Sequence, residues 1–216
     1  MKRIGILAMI WMAGIQLSAQ VTMRDVWLSM PDSLQPTLNH NLRLEHVDFM
    51  DMGVPSEVKN LLDGEGRMDT LTTHYASVRL NDSHLMQMRL LQRSDSTQVI
   101  CLADTYYAPE AESTIRFFTT DWQPMEERFG IPDFSDAEQA MDLFFQKIDT
   151  LSDSEVLEFQ KMIDPVMVSV SLLPGEETVI LQLSEPFLLK DEKERLNAVL
   201  VQTKLKWDGD MFKECE

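Results

Sequence analysis

The side chains able to take part in chemistry are few and scattered. There are four histidines, His40, His46, His74 and His84, and the first two have Glu45, Asp48 and Asp51 for neighbours. Imidazole and carboxylate are suitable metal ligands and proton carriers. The spacing argues against a site, because i, i+6 puts His40 and His46 on different faces of a helix. Both are expected as surface polar residues of an amphipathic segment. His74 and His84 flank an expected hairpin as cross-strand neighbours, with no third ligand. Asp48 and Asp51 stand at i, i+3, and nothing around them drives two carboxylate pKa values apart, as acid–base catalysis requires. No glycine-rich phosphate loop, nucleophile elbow or helical zinc-protease motif occurs. Asp63-Gly64-Glu65 and Asp208-Gly209-Asp210 lack the ligand spacing of a calcium loop and read as turns. The sequence thus implies no catalytic residue, no metal site and no cofactor.

What remains is binding. Tyr106, Tyr107 and Trp122 lie at the ends of the central strands and Trp207 ends a later one. Aromatics at such places form recognition patches or close a core, and these four are the candidate binding residues. Most of the fifteen methionines fall at inward-phase positions and are expected to fill the interior. Cys101 and Cys215 are the only cysteines. An oxidising compartment would permit a bridge, whereas Cys101, within an apolar alternation, is equally explained as a buried free thiol.

The compartment is suggested by the N-terminus. Lys2 and Arg3 precede the apolar run Ile4 to Leu17, and Leu17-Ser18-Ala19 offers a small-residue cleavage site. This is the layout of a secretory signal peptide over residues 1–19, too short and interrupted for a membrane span. The exported chain, beginning at Gln20, is expected in the periplasm or outside the cell. Loss of Lys2 and Arg3 deepens a net charge that is already −17. Such a charge opposes nucleic-acid phosphates and anionic lipid, and favours a basic partner.

About 200 residues remain, enough for one large or two small domains. Thr22 and Asp25 form a capping box ahead of Met23, Val26, Trp27 and Met30, one face of a short helix that Pro31 stops. A second helix is expected from about Leu38 to Met52, with Leu44, Val47 and Met50 inward and Gly53 at its end. Pro55-Ser56 opens a third short helical piece. Four alternating runs follow, around Ala76–Leu80, Met86–Leu90, Val99–Tyr107 and Thr114–Trp122, as an antiparallel meander with one face open to water. Residues 123–134, with Pro124, Gly130 and Pro132, read as a linker. The pattern then restarts. Ser135–Glu138 and Ser152–Glu155 are capping boxes for helices carrying Met141, Phe144, Phe145 and Ile148, and then Val156, Leu157, Phe159 and Ile163. Strands follow at Val166–Leu172, Val179–Ser184 and Ala198–Trp207, with Pro186 to Arg195 a charged connection.

The stretches 97–125 and 178–212 are alike in order, each an apolar run, an acidic loop and an alternating run ending in Trp. The expected fold is α+β: two tandem units, each a helix pair on one face of an antiparallel sheet. The first, αα–ββββ, spans 20–122; the second, αα–βββ, spans 135–216.

The runs RDVWLSMPDSL, NLRLEHVDFMDM and TTDWQPM resemble a domain-of-unknown-function family, the DUF3256 type, of secreted proteins from gut anaerobic bacteria. The likeness covers Val21 to Lys213 and implies export and a small α+β fold, with no activity attached. In outline the tandem units are similar to β-lactamase-inhibitor-like proteins, which act by binding protein; fold alone does not fix function. The function expected is that of a non-enzymatic module binding a protein or peptide, its acidic rim steering a basic partner. The alternatives are a hydrolase of an envelope or dietary polymer, and a structural subunit of an envelope assembly.

Overall fold

The computed structural model describes residues 20–107, 110–134, 137–146, 151–184 and 188–215. The expected signal peptide (residues 1–19), Ser135 and Asp136 of one expected capping box, Ile148 and Pro186 lie outside them.

Two helices open the chain. Helix α1 is Met23–Ser29, and Thr22 and Asp25 close the capping box on its first turn. Helix α2 is His40–Met52, capped by Asn39 and ended by Gly53 in the left-handed conformation (φ 67°). Its buried face is turned from the expected one. Arg43, His46 and Val47 point inward, whereas Leu44 is 38% exposed. Of the two histidines expected at the surface, His40 is exposed and His46 is wholly buried.

Seven strands then run as an uninterrupted antiparallel meander, ordered β1 to β7. They are β1 Ser56–Lys59, β2 Glu65–Leu71, β3 Tyr75–Asn81, β4 His84–Gln92, β5 Gln98–Tyr107, β6 Ala111–Thr119 and β7 Pro124–Met125. The four expected strands are β3 to β6. The expected third helical piece is instead β1. Strand β2 carries charge on its outer face and turns only Gly66 and Met68 fully inward, so its alternation is faint in sequence. Between them the Asn60 side chain accepts from the amides of Leu62 and Gly64 and shapes the turn.

Met86, Met88, Leu90, Ile100, Leu102 and Phe118 form the sheet face that meets α1 and α2, packing with Met23, Val26 and Trp27. The other face holds Tyr75, Leu91, Val99, Cys101, Ala103 and Phe117. It is not open to water, as the alternation suggested. A second sheet covers it, ordered β11-β10-β9-β8: β8 Val168–Leu172, β9 Thr178–Leu183, β10 Thr203–Trp207 and β11 Phe212–Glu214. With it pack α3 Ala137–Phe144 and α4 Asp153–Met162, the latter on the expected Ser152–Glu155 capping box. The charged connection contains a further helix, α5 Lys190–Asn197, and the last long strand starts at Thr203 rather than Ala198.

The polar residues on the covered face serve the edge of β8. Gln87 donates to the Leu172 carbonyl and accepts from its amide. The Ser113 hydroxyl accepts from the Val170 amide at 2.8 Å. Arg89 donates to the carbonyls of Leu173 and Pro174. A bare strand edge exposes main-chain groups that must find partners, and these side chains supply them. One hydrophobic cluster accordingly contains Val99, Cys101 and Phe117 together with Val170, Leu181 and Phe144. The segment 123–134 joins it through Phe129 and Ile131. Gly130 (φ 80°) passes so close to the Phe212 carbonyl that a Cβ would collide with main chain, and the Phe212 amide donates to the Phe129 carbonyl.

Each like stretch holds two neighbouring strands, β5–β6 and β9–β10, but the first pair belongs to the seven-stranded sheet and the second, with α5 between its strands, to the four-stranded one. Their tryptophans do not correspond. Trp207 closes β10, while Trp122 lies beyond β6 in a turn at φ 61°.

Candidate functional site

The site is built on the outer edge of β6. That strand runs nine residues, Ala111–Thr119, but β7 pairs with it only at Phe117 and Phe118. The Thr119 amide donates outward to the Gln123 carbonyl, and the Ala111 carbonyl accepts from the Ser184 hydroxyl. Alternation along an antiparallel strand puts the N–H and C=O of Ser113 and Ile115 on this same outer side. Among the described residues no hydrogen bond reaches those main-chain groups. Among the described residues the rest of β6 is left unpaired, and Phe129 and Ile131 draw the chain after β7 away, into the core under the other face.

A groove of about 740 Å³ lies beside β7 and reaches the unpaired part of β6 at Ile115, short of Ser113. Pro31 and Leu34, in the loop after α1, wall it on the helix side, and Ile131 and Phe134 on the other; Ile115 and Phe118 line it from β6. The loop is held by Arg43, whose side chain is 2% exposed. Its guanidinium donates to the carbonyls of Leu38 and Met30 and pairs with Asp32 at 2.9 Å. Thus α2, by turning a cation inward, fixes one wall of the groove. The rim carries Arg116, Glu126, Glu127 and Arg128. Arg116 is paired with Asp104 at 2.7 Å and Arg128 with Asp133 at 3.3 Å. Glu126 and Glu127 are exposed and have no ion-pair partner among the described residues. The uncompensated rim charge is negative.

Behind Arg116 lies the one polar constellation of this region. Asp104, 4% exposed, accepts from Arg116 and lies 3.0 Å from His84 Nε2. Burial pushes the Asp104 carboxyl up, but the hydrogen bonds from His84 and Arg116 outweigh it and hold the group below its ordinary range. Tyr106 stacks on His84, ring centroids 4.1 Å apart. The arrangement orients Arg116 at the groove and supplies no nucleophile.

Of the four aromatic candidates, Tyr106 and Tyr107 are 49% and 42% exposed, yet as consecutive strand residues they face opposite sides of the sheet and make no joint platform. Trp122 and Trp207 are buried, with both indole N–H groups satisfied. Trp122 donates to the Val26 carbonyl, and Trp207 to the Gln92 carbonyl at 2.7 Å, bolting the second sheet to β4. Trp122 reaches the groove only as part of its floor. The residues that shape the groove, Leu34, Ile115 and Phe134, stood out by no motif; the sole sequence signal was an alternating run followed directly by a Pro-rich stretch.

His74 and His84 sit at opposite ends of the β3–β4 hairpin, since Asn81 opposes His84 while the Leu90 amide donates to the His74 carbonyl. No group of three metal-ligating side chains occurs among the described residues. Cys101 is a buried free thiol, its pKa driven up by burial, and Cys215 is free and exposed. The groups shifted furthest, His46, Cys101 and Asp208, do not line the groove. No described helix is long and apolar enough to cross a membrane.

A solved structure, described as a domain of an uncharacterized protein from Porphyromonas gingivalis W83, is 21% identical to this chain. It superposes with a TM-score of 0.73 over 89% of this chain and 97% of its own. That likeness shows the fold. No curated protein matches the sequence. Residues 15–212 match the family described as Protein of unknown function (DUF3256).

Proposed function

Because the chain belongs to the DUF3256 family, whose description carries no activity, we propose a function from the groove itself: a non-enzymatic module that binds a protein or peptide. The observation that carries this reading is the apolar groove beside an unpaired strand edge. Concave apolar clefts with a few directed polar groups are where ligands are held, and main-chain groups left without partners favour an occupant that supplies them. We read the protein as exported, acting in the periplasm or outside the cell, and its partner as basic. We read the two sheets with their helices as copies of one unit, similar in outline to β-lactamase-inhibitor-like proteins, a reading that would suit a binding scaffold. The hydrolase alternative wants clustered groups of shifted pKa in one cleft, and the groove holds none.

The test is affinity capture from envelope extract of the host cell, using the chain from Gln20 onward and its Leu34→Glu variant at low and high salt. Leu34 is half-buried in the groove wall, so a carboxylate there blocks the apolar contact. The expected result is a stoichiometric partner retained by the parent chain, weakened at high salt and reduced at least about tenfold by Leu34→Glu, a loss of about 1.4 kcal/mol. Equal capture by both chains would remove the groove from the account.

A further inference from the structure

We infer, resting on the reading of the groove as a binding site, that its occupant is a short extended segment of a partner protein. The segment adds as a strand antiparallel to β6, and it has an apolar centre and a flanking Lys or Arg.

Three observations carry this. The unpaired edge has defined limits. At one end β7 already pairs with Phe117 and Phe118, and at the other Ser184 occupies the Ala111 carbonyl. Between them lie the outward main-chain groups of Ser113 and Ile115, two residues apart as in every β ladder. An incoming strand of about four or five residues spans that gap at roughly 3.4 Å per residue. β7 runs antiparallel to β6, so a segment continuing its line takes the same direction.

The walls set the side-chain pattern. Successive residues of an added strand point to opposite faces. One set meets Ile115 and Phe134, and the other meets Arg116 and, toward β7, the wall of Leu34 and Phe118. Next to β7 both walls are apolar, so the residues of the segment that abut β7 are apolar on both faces and not alternating. This distinguishes the site from an ordinary edge, where one side chain in two meets water.

The rim sets the charge. Arg116 and Arg128 are each neutralised by an aspartate, while Glu126 and Glu127 are not. The chain as a whole carries −17. A cation just beyond the apolar centre is drawn to these carboxylates, and an acidic flank is repelled. Strand addition gains affinity from main-chain hydrogen bonds and specificity from the pockets, which is the division of labour seen here.

The experiment selects binders from a random heptapeptide library displayed on phage against the chain from Gln20, then measures the synthetic peptides by fluorescence anisotropy. Each peptide is remade with a single backbone N-methyl group at successive positions. The expected sequences have about four apolar residues beside a Lys or Arg. N-methylation is expected to weaken binding about tenfold at alternate positions only, the footprint of a one-sided ladder. Ile115→Pro deletes the outward amide and leaves the inner β5–β6 ladder its donors, so it is expected to weaken binding by a similar factor; circular dichroism checks that the sheet persists. Peptides that bind, are lost with Leu34→Glu, and tolerate N-methylation everywhere would overturn strand addition while keeping the groove as a binding site. Selected peptides with acidic flanks would overturn the charge assignment. Peptides whose binding ignores Leu34→Glu, or the absence of any binder, would overturn both the strand and the groove reading.

Discussion

Replacing Arg43 by alanine is expected to lower folding stability by about 3–5 kcal/mol, from buried acceptors left without donors and from lost packing. The loss has two sources. The carbonyls of Leu38 and Met30 forfeit charge-assisted donors, each worth about 1–3 kcal/mol when left unsatisfied out of water. The aliphatic stem also leaves a cavity among α1, α2 and their loop. The ion pair itself is a minor part, because Asp32 has 60% of its side chain exposed and surface pairs contribute at most about 1 kcal/mol. Asp32→Asn is therefore expected to cost less than about 1 kcal/mol. Urea denaturation of both variants separates the two accounts. Similar losses would mean that the charge pair, not the carbonyl anchoring, holds the loop.

His46 gives the protein a stability that fades in mild acid. Its ring is wholly buried. The Ser56 hydroxyl donates to the His46 carbonyl at 3.0 Å, and His46 Nδ1 lies 2.7 Å from the Ser56 hydroxyl oxygen. Nδ1 then carries the imidazole proton, and Nε2 is left buried without a partner, against Gly66. A second proton would have no acceptor. Burial, opposed only by the Ser56 hydrogen bond, takes the pKa from 6.5 down to about 4. The unfolded chain therefore binds the proton first as pH falls. The contribution is complete above about pH 6.5, declines between 6.5 and 4, and levels off below. The full loss is roughly 3 kcal/mol, at about 1.4 kcal/mol per pKa unit. Aspartates held low in the folded protein, such as Asp25 by the Thr22 hydroxyl, give up their contribution as pH drops below their ordinary 3.8, and Glu155 and Glu158 below 4.5, so these losses enter only at the acid end of the window. Urea titrations from pH 7.5 to 4.5 should show the slope, and His46→Leu should flatten it. A slope unchanged in His46→Leu would assign the proton to another group.

These two residues also show where sequence reasoning reached and where it stopped. Local signals were sufficient for the capping boxes at Thr22 and Ser152, the left-handed stop at Gly53 and strands β3 to β6, because each depends on neighbours in the chain. The inward face of α2 did not follow from its apolar residues. Arg43 and His46 are inside because distant groups, the Met30 carbonyl and the Ser56 hydroxyl, satisfy them, and periodicity cannot see those partners. The buried second face of the first sheet was hidden for the same reason. Gln87, Arg89 and Ser113 look like a wetted surface until β8 is laid across them. Export and partner were read from the N-terminal residues and the charge. Of the groove only Trp122 and the Pro-rich stretch after β6 stood out in the sequence, since its walls depend on β7 ending after two residues and on Phe129 and Ile131 leaving the edge.

The most direct measurement places a photo-reactive benzoylphenylalanine at Leu34, within the groove, or at Leu62, 77% exposed on the β1–β2 turn. Each chain is irradiated in envelope extract of the host cell. A groove that binds protein predicts one discrete adduct from position 34 and none from position 62. Adducts from Leu62 with none from Leu34 would contradict it.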